Sequence, residues 1–270
     1  MASRDFTAPT ADGVPLAVSE TGAGEPLLLI PGLGASRRVF DPVAPSLAAR
    51  YRVITYDPRG IGDSPVGHLP LTMAQLAEDA TAVLRAAGLE SAHVLGASMG
   101  GVVAQRLVAD HPACVSALIL AATAPPGDRA VPADPRVTAA LLGKGARTPA
   151  EAYRKACTVL YSVAFQRTHP DFIEEQVRQR AARPVPARVF SAQLRALRAP
   201  SDVWDRLPSV TAPVLVTHGT ADAVTPFDNA RLLAGRIPRA RTRWFDGCGH
   251  LFFHERPEES ARVIHEFIRG

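Results

Sequence analysis

The chain has 270 residues, 47% of them hydrophobic and 21% charged, a globular balance that excludes an intrinsically disordered protein. At about 150 residues per domain this length predicts one large domain or one domain with an insertion. The net charge of +4 rests on arginines scattered among Asp and Glu, with Lys144 and Lys155 the only lysines. That pattern argues for a solvated basic surface and against a nucleic-acid face, which needs its cations gathered beside a readable motif. Three cysteines, Cys114, Cys157 and Cys248, show no C-x-x-C spacing. They form neither a disulfide framework nor a cysteine zinc site, and they fit a reducing compartment. The first residues contain no apolar signal-like core, and no run of about 18 apolar residues exists. The expectation is a cytoplasmic protein with no membrane partner. Nothing in the sequence specifies an oligomeric state.

Taken in chain order, apolar runs and turn residues alternate. Val14–Val18 reads as an early strand. Leu27–Ile30 is a continuous apolar run stopped by Pro31-Gly32, as a strand buried on both faces would be. Arg52–Tyr56 reads the same way and stops at Asp57-Pro58-Arg59-Gly60. Leu71–Ala87 carries apolar residues at helical spacing and ends at Gly88. His93–Ala97 is a strand, Met99–His111 a helix closed by Pro112, and Ala117–Ala121 another strand. After a long gap come the strand Val214–Thr217, a helix over Asn229–Arg236, the strand Arg241–Phe245 and a final amphipathic helix over Glu258–Arg269.

This alternation predicts an α/β fold: a mostly parallel central sheet flanked by helices on both faces. The gap, residues 125–206, contains no convincing strand and several helix-like segments: Pro149–Phe165, Pro170–Ala182 and Pro186–Arg198. It is expected to be an inserted helical lid. Residues 1–124 and 207–270 then form the core. Tyr153, Tyr161, Phe165, Phe172 and Phe190 either line an apolar pocket or form the lid's own small core.

Chemistry-bearing residues gather where strands end, the edge at which such sheets hold their sites. Gly96-Ala97-Ser98-Met99-Gly100 is a G-x-S-x-G pattern between a strand and a helix. Its glycines permit a very tight turn that exposes the serine, and the following helix start directs free backbone N–H groups toward the same point. Ser98 is therefore the candidate nucleophile. A serine hydroxyl needs a base. Of the eight histidines, His250 stands out in a glycine-rich loop, Asp246–His250, after the last strand; His254 is its rival. His111 has a structural explanation at a helix C-terminus. His218 ends a strand at the sheet edge. Asp222, in a loop after the Val214 strand, is the candidate orienting acid, its plain alternative being a turn-initiating residue. Ser98, Asp222 and His250 appear in one of the known chain orders of a catalytic triad. The glycines of Pro31-Gly32-Leu33-Gly34 allow close approach to a ligand, so the Leu33 and Met99 amides are the candidate oxyanion donors.

Together these segments resemble the α/β-hydrolase fold superfamily. The resemblance is carried by Pro31–Gly34, the run Asp57–Ser64, Gly96–Gly101, the Asp222 loop and the His250 loop, and its look is closest to the 3-oxoadipate enol-lactonase and small esterase branch. It implies Ser98 as nucleophile, His250 as base and Asp222 as orienting acid. The expected activity is hydrolysis of a small-molecule carboxylic ester or lactone, with no cofactor and no metal. Pro31 stands where many relatives carry a histidine. A serine at the elbow disfavours epoxide hydrolases and dehalogenases, which place Asp there. Thioesterases, carbon–carbon bond hydrolases and cofactor-free haloperoxidases share the arrangement, and a binding protein with negligible turnover is the rival from another class. Short Gly-x-Gly pieces lack the third glycine of a dinucleotide fingerprint, because Arg37 and Pro65 occupy those places. His250 and His254 with Glu255 do not form a zinc-protease helix, since Leu251 stands where its Glu belongs.

Overall fold

The computed structural model describes residues 3–270. Eight strands form one sheet: β1 (Ser3–Pro9), β2 (Pro15–Thr21), β3 (Glu25–Ile30), β4 (Tyr51–Tyr56), β5 (Ala92–Ala97), β6 (Val115–Ala121), β7 (Val214–Gly219) and β8 (Arg241–Phe245). Their order is β1-β2-β4-β3-β5-β6-β7-β8. Pairing is antiparallel from β1 to β2 and from β2 to β4, and parallel from β4 onward. After β3 the chain turns to β4 on one side and then to β5 on the other. The topological switch point therefore lies between β3 and β5, where Ile30 pairs with Gly96. Crevices at such points open beyond the strands' carboxyl ends.

Period-two alternation sorts the apolar side chains onto two faces. Leu28, Ile30, Val94, Leu118, Leu120, Val214 and Val216 pack toward the helices Met73–Ala86, Met99–Asp110 and Asp228–Arg236. Leu27, Leu29, Leu95, Ile119 and Leu215 pack toward the helices Ala44–Ala48 and Pro257–Arg269. Both faces are covered, which is why these strands read as unbroken apolar runs.

Boundaries differ from the sequence expectation where a polar group sets them. The helix expected from Leu71 starts at Met73, because the Thr72 side chain caps it by accepting from the Gln75 amide. The edge strand β1 was not expected: its side chains are mostly exposed, and ladder bonding to β2 rather than apolar burial defines it. Among the described residues no strand lies between β6 and β7. That stretch holds the helices Pro135–Leu141, Pro149–Leu160, Val163–Thr168, Pro170–Ala182, Ala187–Arg198 and Val203–Arg206. The single helix expected over Pro149–Phe165 is two. Tyr161 is extended (φ −114°), and Ser162 restarts the helix by accepting from the Phe165 amide. Ala156, Leu160, Tyr161, Phe165 and Val177 join the core on the Leu27 face, so this segment shares the sheet's packing. Among the described residues no helix is long and apolar enough to cross a membrane.

Candidate active site

β5 ends at Ala97, and the helix begins at Met99, so Ser98 alone makes the turn. It does so with φ 54° and ψ −122°, a conformation that costs a non-glycine residue on the order of 1–3 kcal/mol. The surroundings hold it there. The Ser98 amide donates to Ala121 O at 2.9 Å, and its carbonyl accepts from the Gly101 amide at 2.9 Å and from Thr123 Oγ1 at 2.6 Å. The flanking glycines are steric requirements. A Cβ on Gly96 would meet the Gly100 carbonyl, and one on Gly100 would meet the Ile30 carbonyl of the neighbouring strand.

Asp222 and His250 come from loops after β7 and β8, which pair with each other. The Ala221 amide donates to Cys248 O at 2.9 Å, tying the loops together. His250 Nδ1 donates to Asp222 Oδ2 at 2.8 Å. Asp222 Oδ1 accepts from the Val224 and Thr225 amides at 2.9 and 2.8 Å. Burial alone would raise the Asp222 carboxyl. The facing imidazoles of His250 and His218, with their hydrogen bonds, more than offset it and hold the group at about 2. With the Nδ1 proton directed at this carboxylate, the acceptor nitrogen of His250 is Nε2.

His250, Ser98, Gly32 and Leu33 line one cavity of about 500 Å³. A Cβ on Gly32 would lie 3.1 Å from Ser98 Cβ, tighter than an ordinary contact, so glycine eases the close approach of the loop after β3. The Leu33 amide has no hydrogen-bond partner among the described residues, whereas the Gly34 amide donates to Gln193 Oε1 at 2.8 Å. Met99 is buried, and as the first residue of its helix it contributes one of the amides without an intrahelical acceptor. Asp222 and His250 are thus in direct contact. Ser98 shares their cavity with no hydrogen bond from Oγ to His250 among the described residues, a looseness common at such sites before substrate arrives.

The other motif residues divide clearly. His254 is enclosed between Tyr161 OH (3.0 Å) and Val39 O (2.6 Å), so both ring nitrogens are engaged. Burial, only partly opposed by the Val39 bond, pushes it down to about 4. Tyr161, Phe165 and Phe172 pack on one another and form core, whereas Tyr153 and Phe190 line the cavity. Asp57 organises its own loop through the Arg37 and Asp63 amides, and Arg59 is buried between Asp12 and Asp79. The Asp57–Gly60 run is scaffold.

Four contributors were not legible in the sequence. His218 donates from Nε2 to Thr225 O at 2.8 Å and lies 3.0 Å from Asp222 Oδ2. The sequence placed it at a strand end on the sheet edge, four residues before Asp222, but gave it no role. Glu255 accepts from the Gly249 amide at 3.0 Å and the Ser162 amide at 2.7 Å, pinning the His250 loop to the helical segment. Gln193 and Arg180 hold Gly34 from both sides, the first accepting from its amide and the second donating to its carbonyl. On their helices they read as ordinary polar residues.

The chain belongs to the alpha/beta hydrolase fold family, whose model matches residues 25–257. Among its relatives, the proposed carbamate hydrolase RutD of Caulobacter vibrioides is 33% identical over 99% of each chain. A pimeloyl-acyl-carrier-protein methyl ester esterase of Aeromonas hydrophila is 29% identical over 94% of this chain and 99% of its own. A solved thermophilic esterase from Thermogutta terrifontis superposes with a TM-score of 0.83 at 29% identity, over 98% of each chain.

Proposed function

We propose that this hydrolase cleaves a small-molecule carboxylic ester or lactone through an acyl-enzyme, using Ser98, His250 and Asp222. The observation that carries the reading is the buried Asp222–His250 hydrogen bond in the cavity that Ser98 also lines. Ser98 Oγ attacks the substrate carbonyl as His250 Nε2 takes its proton, and Asp222 stabilises the imidazolium. The tetrahedral oxyanion accepts from the Leu33 and Met99 amides. His250 then protonates the departing oxygen, which leaves, or in a lactone stays tethered as an alcohol. Water, activated by His250, attacks the acyl-enzyme and regenerates the serine. The helices within 125–206 serve as a cap over the strand ends, and the free cysteines fit a cytoplasmic setting.

Carbamates are the second reading, favoured by the RutD relative, because the same attack serves a carbonyl flanked by nitrogen. The test is labelling by a fluorophosphonate together with turnover of a panel of esters, lactones, thioesters and carbamates. Ser98→Ala is expected to abolish labelling and to lower turnover by about 10⁴-fold or more. Labelling that persists in Ser98→Ala overturns the assignment, and labelling of wild type without turnover on any substrate favours a binding protein.

A further inference from the structure

Arg180, on the helix Pro170–Ala182, lines the cavity that holds Ser98 and His250. It donates to the Gly34 carbonyl, and its guanidinium carbon lies 5.6 Å from the centre of the Tyr153 ring. A guanidinium has five N–H donors, and a single acceptor engages it among the described residues. No carboxylate pairs with it there. The neighbouring Arg183 is neutralised by Asp63 at 2.6 Å, and Asp57, the one acid on the cavity lining, is taken by Arg37. Arg38 and Arg198, also on the lining, are exposed and solvated.

A crowded, unpaired cation is costly, and it is strongly destabilising when its counter-charge is missing. The crowding holds this guanidinium below its ordinary range, yet arginine stays charged. The protein therefore presents an uncompensated positive charge with free donors toward its substrate cavity. The position is defined by the Gly32–Gly34 loop. Gly32 abuts Ser98, and Gly34 contacts Arg180 two residues further on. Two residues of chain span at most about 7 Å, and here they form a turn closed by the Ala35 amide on Gly32 O, so the guanidinium stands within roughly 15 Å of the serine.

We propose that Arg180 binds a carboxylate carried by the substrate, so that the preferred substrate is a half-ester of a dicarboxylic acid with several carbons between its carboxylate and the scissile carbonyl. This rests on the ester-cleaving reading of the same site and names its substrate class. One crowded guanidinium without a carboxylate partner, on a lining that holds no lysine, matches a planar monoanion, which an arginine can take in bidentate fashion. Tyr153 and Phe190 supply apolar wall between the two ends.

The test compares kcat/KM on matched pairs, the p-nitrophenyl half-esters of glutaric, adipic and pimelic acid against the same esters with the far carboxylate methylated. Wild type is expected to prefer the anionic member by at least tenfold for one chain length. That ratio should collapse toward one in Arg180→Gln and be partly kept in Arg180→Lys, whatever the absolute rate on the neutral member. A wild-type ratio of one or less, or a ratio unchanged in Arg180→Gln, overturns the proposal. If no ester turns over, the ester-cleaving reading fails, and the carboxylate site is judged separately by calorimetry of adipate binding to Ser98→Ala. Binding that is lost on adding Arg180→Gln supports it. No binding, or tighter binding of inorganic phosphate than of adipate, overturns it.

Discussion

Gln193 accepts a hydrogen bond from the Gly34 amide at 2.8 Å, across 159 positions of sequence. The contact joins the helix Ala187–Arg198 to the loop that carries the candidate oxyanion donor. Gln193 is fully buried, and its Nε2 has no partner, so the side chain's role in the fold is that of an acceptor for Gly34. With this amide occupied, the Leu33 amide beside it is left unpaired on the cavity lining.

Gln193→Met keeps most of the volume and removes the acceptor. It leaves a buried amide unsatisfied, a cost of about 1–3 kcal/mol. The loop it releases also sets the Leu33 amide, so kcat on a good ester should fall about tenfold or more while KM moves less. Steady-state kinetics with a thermal melt checks this. A variant that loses stability at unchanged kcat would assign Gln193 to packing alone.

Asp222 makes part of the stability depend on acid. Its carboxyl sits at about 2 in the fold, against an ordinary value of 3.8. A depressed carboxylate contributes fully above its unfolded value, and the contribution is lost as pH falls through the folded one. The window is therefore about pH 4 down to 2, and the contribution is on the order of 2 kcal/mol. Asp222→Asn lacks this titration. Urea midpoints measured through the window should fall more steeply for wild type than for the variant, and parallel curves would count against the ion-paired carboxylate. The same variant should lower kcat by about 10³–10⁴-fold at neutral pH, since it forces the wrong imidazole tautomer.

Glu255 bonds three groups at once: the Gly249 and Ser162 amides and the Ser162 hydroxyl, the last at 2.7 Å. Glu255→Leu strips all three, and a loss of about 2 kcal/mol lowers Tm by roughly 4–8 °C for a chain of this size. Because Gly249 precedes His250, kcat should fall as well. Glu255→Gln retains an acceptor for the amides and a donor for the hydroxyl, and should recover most of both. Equal damage from the two variants would mean that the charge, not the bonding pattern, is what the loop requires.

The legible part of this protein is the part that local physics dictates. Gly96, Ser98 and Gly100 announce the elbow: a Cβ on Gly96 would strike the Gly100 carbonyl within the same five residues, although the bar to a Cβ on Gly100 comes from Ile30 of the next strand. Asp222 and His250 stood out because the first follows the apolar run Val214–Thr217 and the second a glycine-rich loop after the last strand, and parallel strands bring their carboxyl ends to one edge. Polar edges carried less signal. The strand Ser3–Pro9 is held by its ladder and not by burial, and the break at Tyr161–Ser162 depends on a side-chain cap inside an otherwise helical pattern.

Packing between distant segments decided the rest. That Glu255 ties the His250 loop to Ser162, and that Gln193 and Arg180 clamp Gly34, are outcomes of where the helices between β6 and β7 settle on the sheet. Periodicity and turn chemistry act over a few residues, so a single chain read alone carries them. A hydrogen bond between positions 34 and 193 depends on the whole arrangement that brings them together, and polar side chains on a helix look alike until that arrangement gives each one its neighbour.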